Sequence, residues 1–151
     1  MILFRLSKSK YSKDLSGAGA EKSGGRWNNK GIRMIYTAES RALCTTEIAV
    51  HTPLGNLPSD YELITLSLPD DIRILELKLS DLPKNWRQNQ QATQKAGREF
   101  VHANKYLLMK VPSAVVQGDF NYLINPGHEE LSKVRIKSVE PFEFDARLFL
   151  K

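Results

Sequence analysis

The sequence is poor in the residues that build disulfides and metal sites. It contains one cysteine, Cys44, and three histidines in 151 residues. A single cysteine forms no disulfide within the chain, and no spacing of cysteine and histidine matches a zinc site. We therefore expect neither a metal ion nor a prosthetic group, and we expect Cys44 to be a packed small side chain.

Long apolar runs are also absent. No stretch approaches the roughly 20 residues that a membrane helix needs. The first residues lack the apolar stretch and the small-residue cleavage site of a signal peptide. This pattern predicts a cytoplasmic protein that has no membrane partner.

Two nucleotide-binding motifs are incomplete. Gly17 and Gly19 begin a G-x-G-x-x-G pattern, but Lys22 occupies the position of the third glycine. We also expect no helix to follow this segment closely, so the dinucleotide-binding fingerprint is not met. The G-x-x-x-x-G-K-[ST] pattern of a phosphate-binding loop is missing as well.

Positive charge exceeds negative charge without forming a run. The net charge is +5, and such a balance favours nucleic acid, an acidic protein or a phosphorylated small molecule as partner. Because the basic residues are spread along the chain, an ordinary basic surface explains them equally well.

The chain has the composition of a globular protein, with 41% hydrophobic and 26% charged residues. We expect residues 1–151 to form a single domain. Strand patterns dominate without regular βαβ alternation, which predicts the α+β class. The patterns predict strands at residues 2–6, 32–37, 61–68, 72–77, 106–111 and 134–144, and helices at residues 39–52, 91–105 and 144–151. Residues 121–131 fit a strand, a turn at Asn-Pro-Gly and one helical turn.

Residues 7–31 form a long segment rich in glycine and serine, and they include the sequence GGRWNNKG at 24–31. Loops of this length in compact domains are usually functional or disordered. Arg26 offers a permanent charge to an anion, and the flanking glycines allow backbone amides to approach the same anion. A plain surface loop is the alternative. We expect Trp27 to pack under the loop.

Three residues of successive segments are candidates for one site: Arg26 in the loop, Tyr36 near the end of a strand and Glu47 on the next helix. Leu43, Glu47 and Val50 follow helical spacing, which places Glu47 at the edge of an apolar stripe. A carboxylate there is paired, lies in a cleft or is exposed at the margin. A separate structural role for each residue remains the alternative.

Two further candidates follow the strand at 106–111. Ser113 comes directly after Pro112, so its hydroxyl either faces a cleft or bonds the backbone at the strand end. Asn121 is a turn former by default. Sequence spacing leaves both alternatives open.

Long stretches of the chain resemble the RES family, named for an arginine, a glutamate and a serine. The resemblance runs from FRLSKSKYSKDLSG through GGRWNNKGIRMIYTAESRALCTTEIAVH and resumes at LLMKVPSAVVQGDFNYLINPGHEELSKVRI, and it ends with FDARLF. The middle, residues 53–105, matches less clearly. Family members often place an acid after the glycine of the second long helix, where this chain has Arg98.

The resemblance implies a fold similar to ADP-ribosyltransferases, with mixed, mostly antiparallel β-sheets and inserted helices. It implies the toxin of a bacterial type II toxin–antitoxin system that consumes NAD+ by cleaving the nicotinamide–ribose bond. The expected partner is an Xre-type helix-turn-helix antitoxin, with DNA reached only through that antitoxin and with a homodimer as a further option within the complex. The acceptor remains open between water, phosphate and a protein.

The family's site residues fall on positions of this chain that carry matching side chains. The resemblance implies a catalytic set of Arg26, Tyr36, Glu47 and Ser113, and NAD+ contacts from Arg5, Arg26, Tyr36 and Asn121. No histidine is matched to the site. An RNA-targeting toxin and a non-catalytic binding module remain alternatives.

Overall fold

A computed structural model describes residues 1–150, and its framework is a seven-stranded sheet. The strands are β1 (Ile2–Lys8), β2 (Ile35–Ala38), β3 (Tyr61–Ser67), β4 (Ile74–Glu76), β5 (Leu108–Pro112), β6 (Phe120–Ile124) and β7 (Arg135–Phe142). Their order in the sheet is β4-β5-β6-β2-β1-β3-β7. Only β4 and β5 pair in parallel, and every other pair among the described residues is antiparallel. The expected α+β class is confirmed.

The α-helices of the described chain are α1 (Ala18–Ser23), α2 (Arg41–His51) and α3 (Gln90–Ala103). Helix α2 begins at Ser40, whose Oγ accepts a hydrogen bond from the Leu43 amide at 3.0 Å, as is typical of an N-cap. It ends at Thr52, because the residue before Pro53 disfavours helical backbone. None of the helices in residues 1–150 has the length and hydrophobicity to cross a bilayer.

Three expectations need correction. The segment 7–31 contains α1, so the expectation that no helix follows the glycine pair closely is wrong. A helix of six residues is too short to show a hydrophobic period, which is why the sequence pattern missed it. The strand expected at 32–37 begins only at Ile35, and the terminal helix is reduced to one 3-10 turn, Ala146–Leu148.

The sheet buries side chains on both faces. On one face Leu3, Ile35 and Ile124 join the largest core cluster. On the other face two clusters lie side by side, one under α3 around Trp27 and Trp86 and one under α2. Trp27 and Cys44 are buried as expected. Val50 was expected to belong to the apolar stripe of α2, but it is 59% exposed. The buried residues of this helix are Leu43 and Cys44.

Helix α3 lies directly on the loop that contains Arg26. A Cβ atom at Gly97 would overlap the carbonyl oxygen of Trp27, so only glycine permits this contact. The glycine that weakens the helical pattern in the sequence is therefore the point at which the helix and the loop meet.

We expect Gly97→Ala to destabilise the protein, because the added methyl group must displace the Trp27 backbone. Overpacking of this kind costs typically about 1–3 kcal/mol, occasionally more. The measurement is the midpoint of chemical unfolding. The control is Gly19→Ala in α1, where an added Cβ has no neighbour within 4 Å among the described residues. Equal stability of the two variants would contradict the prediction.

Candidate active site

The hydroxyl of Tyr36 fixes the GGRWNNKG loop. It accepts a hydrogen bond from the Trp27 amide at 2.9 Å and donates to Asn28 Oδ1 at 2.6 Å. Burial raises the pKa of Tyr36 to about 12, so the phenol stays protonated and keeps donating. A Cβ atom at Gly25 would lie 2.7 Å from the Tyr36 oxygen, which explains the glycine at that position.

Asn28 is the buried centre of the same loop, with no exposed surface. Its Nδ2 donates to the carbonyl oxygens of Ala20 at 2.8 Å and Ile32 at 2.9 Å. The side chain therefore connects α1, the loop and the entry to β2. Since every strong hydrogen-bonding group of its amide is used, its position is well determined.

Helix α3 clamps the loop from the other side. Thr93 Oγ1 donates to the Arg26 carbonyl oxygen at 2.6 Å, and Gln94 Nε2 donates to that of Gly25 at 3.0 Å. Arg98 donates to Asn29 Oδ1 at 2.7 Å. Arg98 thus has a structural role in holding the loop.

The Arg26 side chain extends from this fixed backbone. Its guanidinium donates to the carbonyl oxygen of Arg87 at 3.0 Å. The neighbouring residues Trp27 and Trp86 are also in contact, with ring centroids 6.1 Å apart.

Packing of α2 determines where Glu47 lies. Leu43 and Cys44 pack against Ala38, Phe4 and other apolar side chains of the sheet. Glu47 follows Cys44 by three residues, so it lies on the same face of the helix one turn later. There it is half-buried above the sheet rather than exposed at the margin.

Burial raises the pKa of the Glu47 carboxyl, and this is the largest effect on it. Hydrogen bonding from Asn121, the positive charges of His51 and Arg26, and hydrogen bonding from Ser113 oppose the rise, in that order. The carboxyl group is therefore desolvated and faces donors and cations. Perturbed carboxylates of this kind cluster at functional sites.

The sheet register brings Asn121 and Ser113 to Glu47. Asn121 pairs with Ala38 on one side and with Val111 on the other, so it lies in the middle of the sheet. Its Nδ2 donates to the Thr37 carbonyl oxygen at 3.2 Å. Ser113 lies two residues beyond Val111 and therefore shares the face of Val111 and Asn121.

The Ser113 hydroxyl has a defined orientation. Its Oγ accepts hydrogen bonds from the amides of Val115 at 3.1 Å and Val116 at 3.0 Å. Both lone pairs are thereby used, so the hydroxyl proton stays available to an acceptor. Of the two roles left open for this serine, the structure shows the one in which it bonds the backbone.

Arg5 is the one candidate that the structure does not bring into this group. Phe4 and Leu6 pack on the α2 side of the sheet, so alternation along β1 directs Arg5 to the opposite face. Its guanidinium donates to the Asp14 carbonyl oxygen at 2.9 Å. Burial lowers its pKa.

Two residues near the site were not among the sequence candidates. His51 lies four residues after Glu47 on α2, and its charge lowers the pKa of Glu47. The i, i+4 spacing was a usable signal for it. The second residue is Arg87, whose carbonyl oxygen accepts a hydrogen bond from Arg26. It lies in a segment without helical or strand periodicity, so nothing in the sequence pointed to it.

Metal ligands are not assembled here. Within residues 1–150, no group of three or more histidine, cysteine, aspartate or glutamate side chains is arranged to bind a metal ion. The arrangement offers instead one desolvated carboxylate, hydrogen-bond donors around it and a neighbouring guanidinium. A carboxylate in this setting is suited to meeting a developing positive charge.

Fold and site together define a mixed α+β protein whose half-buried Glu47 carboxylate lies on a helix above a mostly antiparallel sheet. The protein-family model described as RES domain matches residues 2–145. The chain belongs to the RES domain family.

Named relatives match along nearly the whole chain. A protein of Yersinia enterocolitica named Toxin Res is 36% identical, covering 98% of this chain and 99% of its own length. The Toxin Res of Pseudomonas putida is 34% identical over 99% of this chain and 100% of its own. A protein of Sphingobium sp. named Prs ADP-ribosylating toxin is 33% identical over 91% of this chain and 88% of its own.

A solved structure shares the fold. The matching chain of the M. tuberculosis MbcT–MbcA toxin–antitoxin complex has a TM-score of 0.68, covering 98% of this chain and 86% of that chain. The two sequences are 20% identical, so the likeness concerns the fold. The expected mixed, mostly antiparallel sheet with inserted helices is confirmed.

We expect Tyr36→Phe to loosen the GGRWNNKG loop. The change leaves the Trp27 amide and Asn28 Oδ1 without their partner, and each unsatisfied buried group costs about 1–3 kcal/mol. Hydrogen exchange of the Trp27 amide should accelerate, and the free energy of unfolding should fall. The control is Tyr11→Phe, which removes the hydroxyl of an exposed tyrosine. Unchanged exchange at Trp27 would contradict the role assigned to Tyr36.

We expect Glu47→Gln to stabilise the protein at neutral pH. The pKa of Glu47 is higher in the folded state than its ordinary value of 4.5, so folding favours the protonated form. The stability this contributes is present below the ordinary value and is lost as pH rises through the folded pKa. Thermal unfolding across pH should show a gain for the variant that vanishes in acid. A gain that is independent of pH would contradict the assignment.

Proposed function

We propose that this chain is a toxin that consumes NAD+ by cleaving the bond between nicotinamide and ribose. The observation that supports this most is the Glu47 carboxyl, desolvated by burial and faced by Asn121, Arg26 and Ser113. Family membership and a relative named Prs ADP-ribosylating toxin point to the same chemistry.

The reaction develops positive charge on the sugar. As nicotinamide departs, the ribose acquires oxocarbenium character, as in glycoside hydrolysis. A carboxylate beside the ribose stabilises that charge more than it stabilises the bound substrate, which accelerates the reaction. Because Glu47 is partly removed from water, its interaction with the sugar is less screened. Nicotinamide leaves as a neutral ring, so a strong general acid is unnecessary.

Arg26 is proposed to bind the pyrophosphate. A guanidinium presents a planar fork that matches phosphate oxygens, and its backbone is fixed by Thr93 and the contact with α3. The Tyr36 hydroxyl is occupied in bonding the loop, so we assign Tyr36 to positioning Arg26 and to offering its ring to nicotinamide. We leave Arg5 out of the pocket because it lies on the other face.

Ser113 and Asn121 are proposed to orient Glu47 and to hydrogen-bond the nicotinamide ribose. Nucleophilic attack by Ser113 is disfavoured, because its oxygen already accepts from two backbone amides. The acceptor of ADP-ribose is then water, phosphate or a protein side chain, supplied from outside this constellation.

An antitoxin partner is part of the proposal. The fold is shared with a chain of a toxin–antitoxin complex, and several relatives are named Toxin Res. We propose an Xre-type antitoxin that covers the cleft at Glu47, with an acidic segment suited to the net charge of +5. Contact with DNA would then be made through the antitoxin.

We expect Glu47→Gln to reduce NAD+ turnover by at least about a hundredfold, the loss typical when one transition-state electrostatic contact is removed. The assay follows nicotinamide release by purified, antitoxin-free protein, with products identified by mass. The mass separates hydrolysis, phosphorolysis and transfer.

The matched control is Glu99→Gln, which removes an exposed carboxylate on α3 that lies 3.9 Å from Lys95. We expect it to retain wild-type turnover. Full activity of Glu47→Gln would refute the role of the carboxylate. Rapid RNA degradation with NAD+ left intact would instead favour an RNA-targeting toxin, and the absence of both activities would favour a binding module.

A further inference from the structure

A cavity of about 240 Å³ is lined in part by Ser113, and Glu47 does not line it. Typical ligand pockets measure about 300–1,000 Å³, so this cavity is suited to part of a dinucleotide. Arg87 lines it together with Ser113, and Lys78 adds a second positive charge. The cavity therefore shares Ser113 with the candidate active site, and its lining combines these two cations with the carboxylates of Glu76 and Asp119.

Arg87 is held in a defined position. Its guanidinium carbon lies 4.9 Å from the centroid of the Trp86 ring, and Trp86 is 3% exposed. Its carbonyl oxygen accepts from Arg26 at 3.0 Å. A stacked guanidinium on a buried ring keeps its fork free to bind a planar or tetrahedral anion.

Neither Arg26 nor Arg87 has a carboxylate partner. The ion pairs found in the described part of the chain involve other residues. An arginine side chain without a carboxylate partner is available to bind an anionic ligand.

We propose that Arg87 binds the diphosphate of the substrate and that the cavity beside Ser113 receives its ADP half. This inference rests on the proposed function and assigns a second cation in the place expected for Arg5. Leu77, Leu79 and Phe120 form the apolar wall for the adenine ring, and the carboxylates of Glu76 and Asp119 accept from ribose hydroxyls.

The test compares wild type, Arg87→Gln and Arg73→Gln. Arg73 is the matched control, because its guanidinium carbon also lies 4.9 Å from an aromatic ring, that of Tyr106, and it does not line this cavity. Titration calorimetry measures the binding of ADP-ribose, ADP and adenosine. Steady-state kinetics with NAD+ separates KM from kcat.

We expect Arg87→Gln to weaken ADP-ribose and ADP by about tenfold or more, as for a lost charge-assisted hydrogen bond. Adenosine binding should be unchanged, KM for NAD+ should rise by a similar factor, and kcat should be retained. Arg87→Lys keeps the charge but loses the planar fork of the guanidinium, so its affinity for ADP-ribose and ADP should lie between those of wild type and Arg87→Gln. Arg73→Gln should match wild type.

Several results would overturn the inference: ADP binding by Arg87→Gln equal to wild type, equal weakening of adenosine and ADP, or no binding of ADP by wild type. The two proposals fail separately. Normal NAD+ turnover that is independent of Arg87 refutes this inference alone. Arg87-dependent ADP binding without any NAD+ turnover refutes the proposed reaction and leaves the ADP subsite standing.

Discussion

The hydrogen bond from the Tyr36 hydroxyl to Asn28 Oδ1, 2.6 Å long, determines where the loop that carries Arg26 lies. The same hydroxyl accepts from Trp27, and Asn28 binds two further carbonyl oxygens. Helix α3 completes the enclosure through Gly97, where only a hydrogen atom fits against the Trp27 carbonyl. An irregular segment thereby acquires the rigidity of a secondary-structure element, which is what positioning a charged ligand requires.

The carboxylate side of the site is built by a different means. Leu43 and Cys44 anchor α2 on the sheet, and the helical repeat then delivers Glu47 above Asn121 and Ser113. Burial there opposes ionisation, so the site is kept at some cost in stability. Donors and the charges of Arg26 and His51 recover part of that cost. A carboxylate that stabilises positive charge in a transition state is expected to be placed where it lowers the stability of the fold.

The strands and long helices were predictable from the sequence. The contacts that irregular segments make with distant parts of the chain were not. Alternation and helical spacing located the strands and the two long helices within a few residues, because both are periodic properties of neighbouring side chains. The family resemblance, rather than spacing, selected Ser113 and Asn121. The role of Gly97 depends on a contact with Trp27, far away in sequence, and no local pattern encodes it.

Arg5 and Arg87 illustrate why the direction of a side chain can be predicted on a strand but not in a loop. A strand residue whose two neighbours pack on one face of a sheet must point to the other face. The apolar side chains of Phe4 and Leu6 therefore already indicated on which face Arg5 lies. Loop residues obey no such alternation. The Arg26 side chain reaches the Arg87 carbonyl oxygen next to the point where two tryptophans, each adjacent to one of these arginines, pack together in the core. The proposed anion-binding surface is thus built on an aromatic contact of the apolar core.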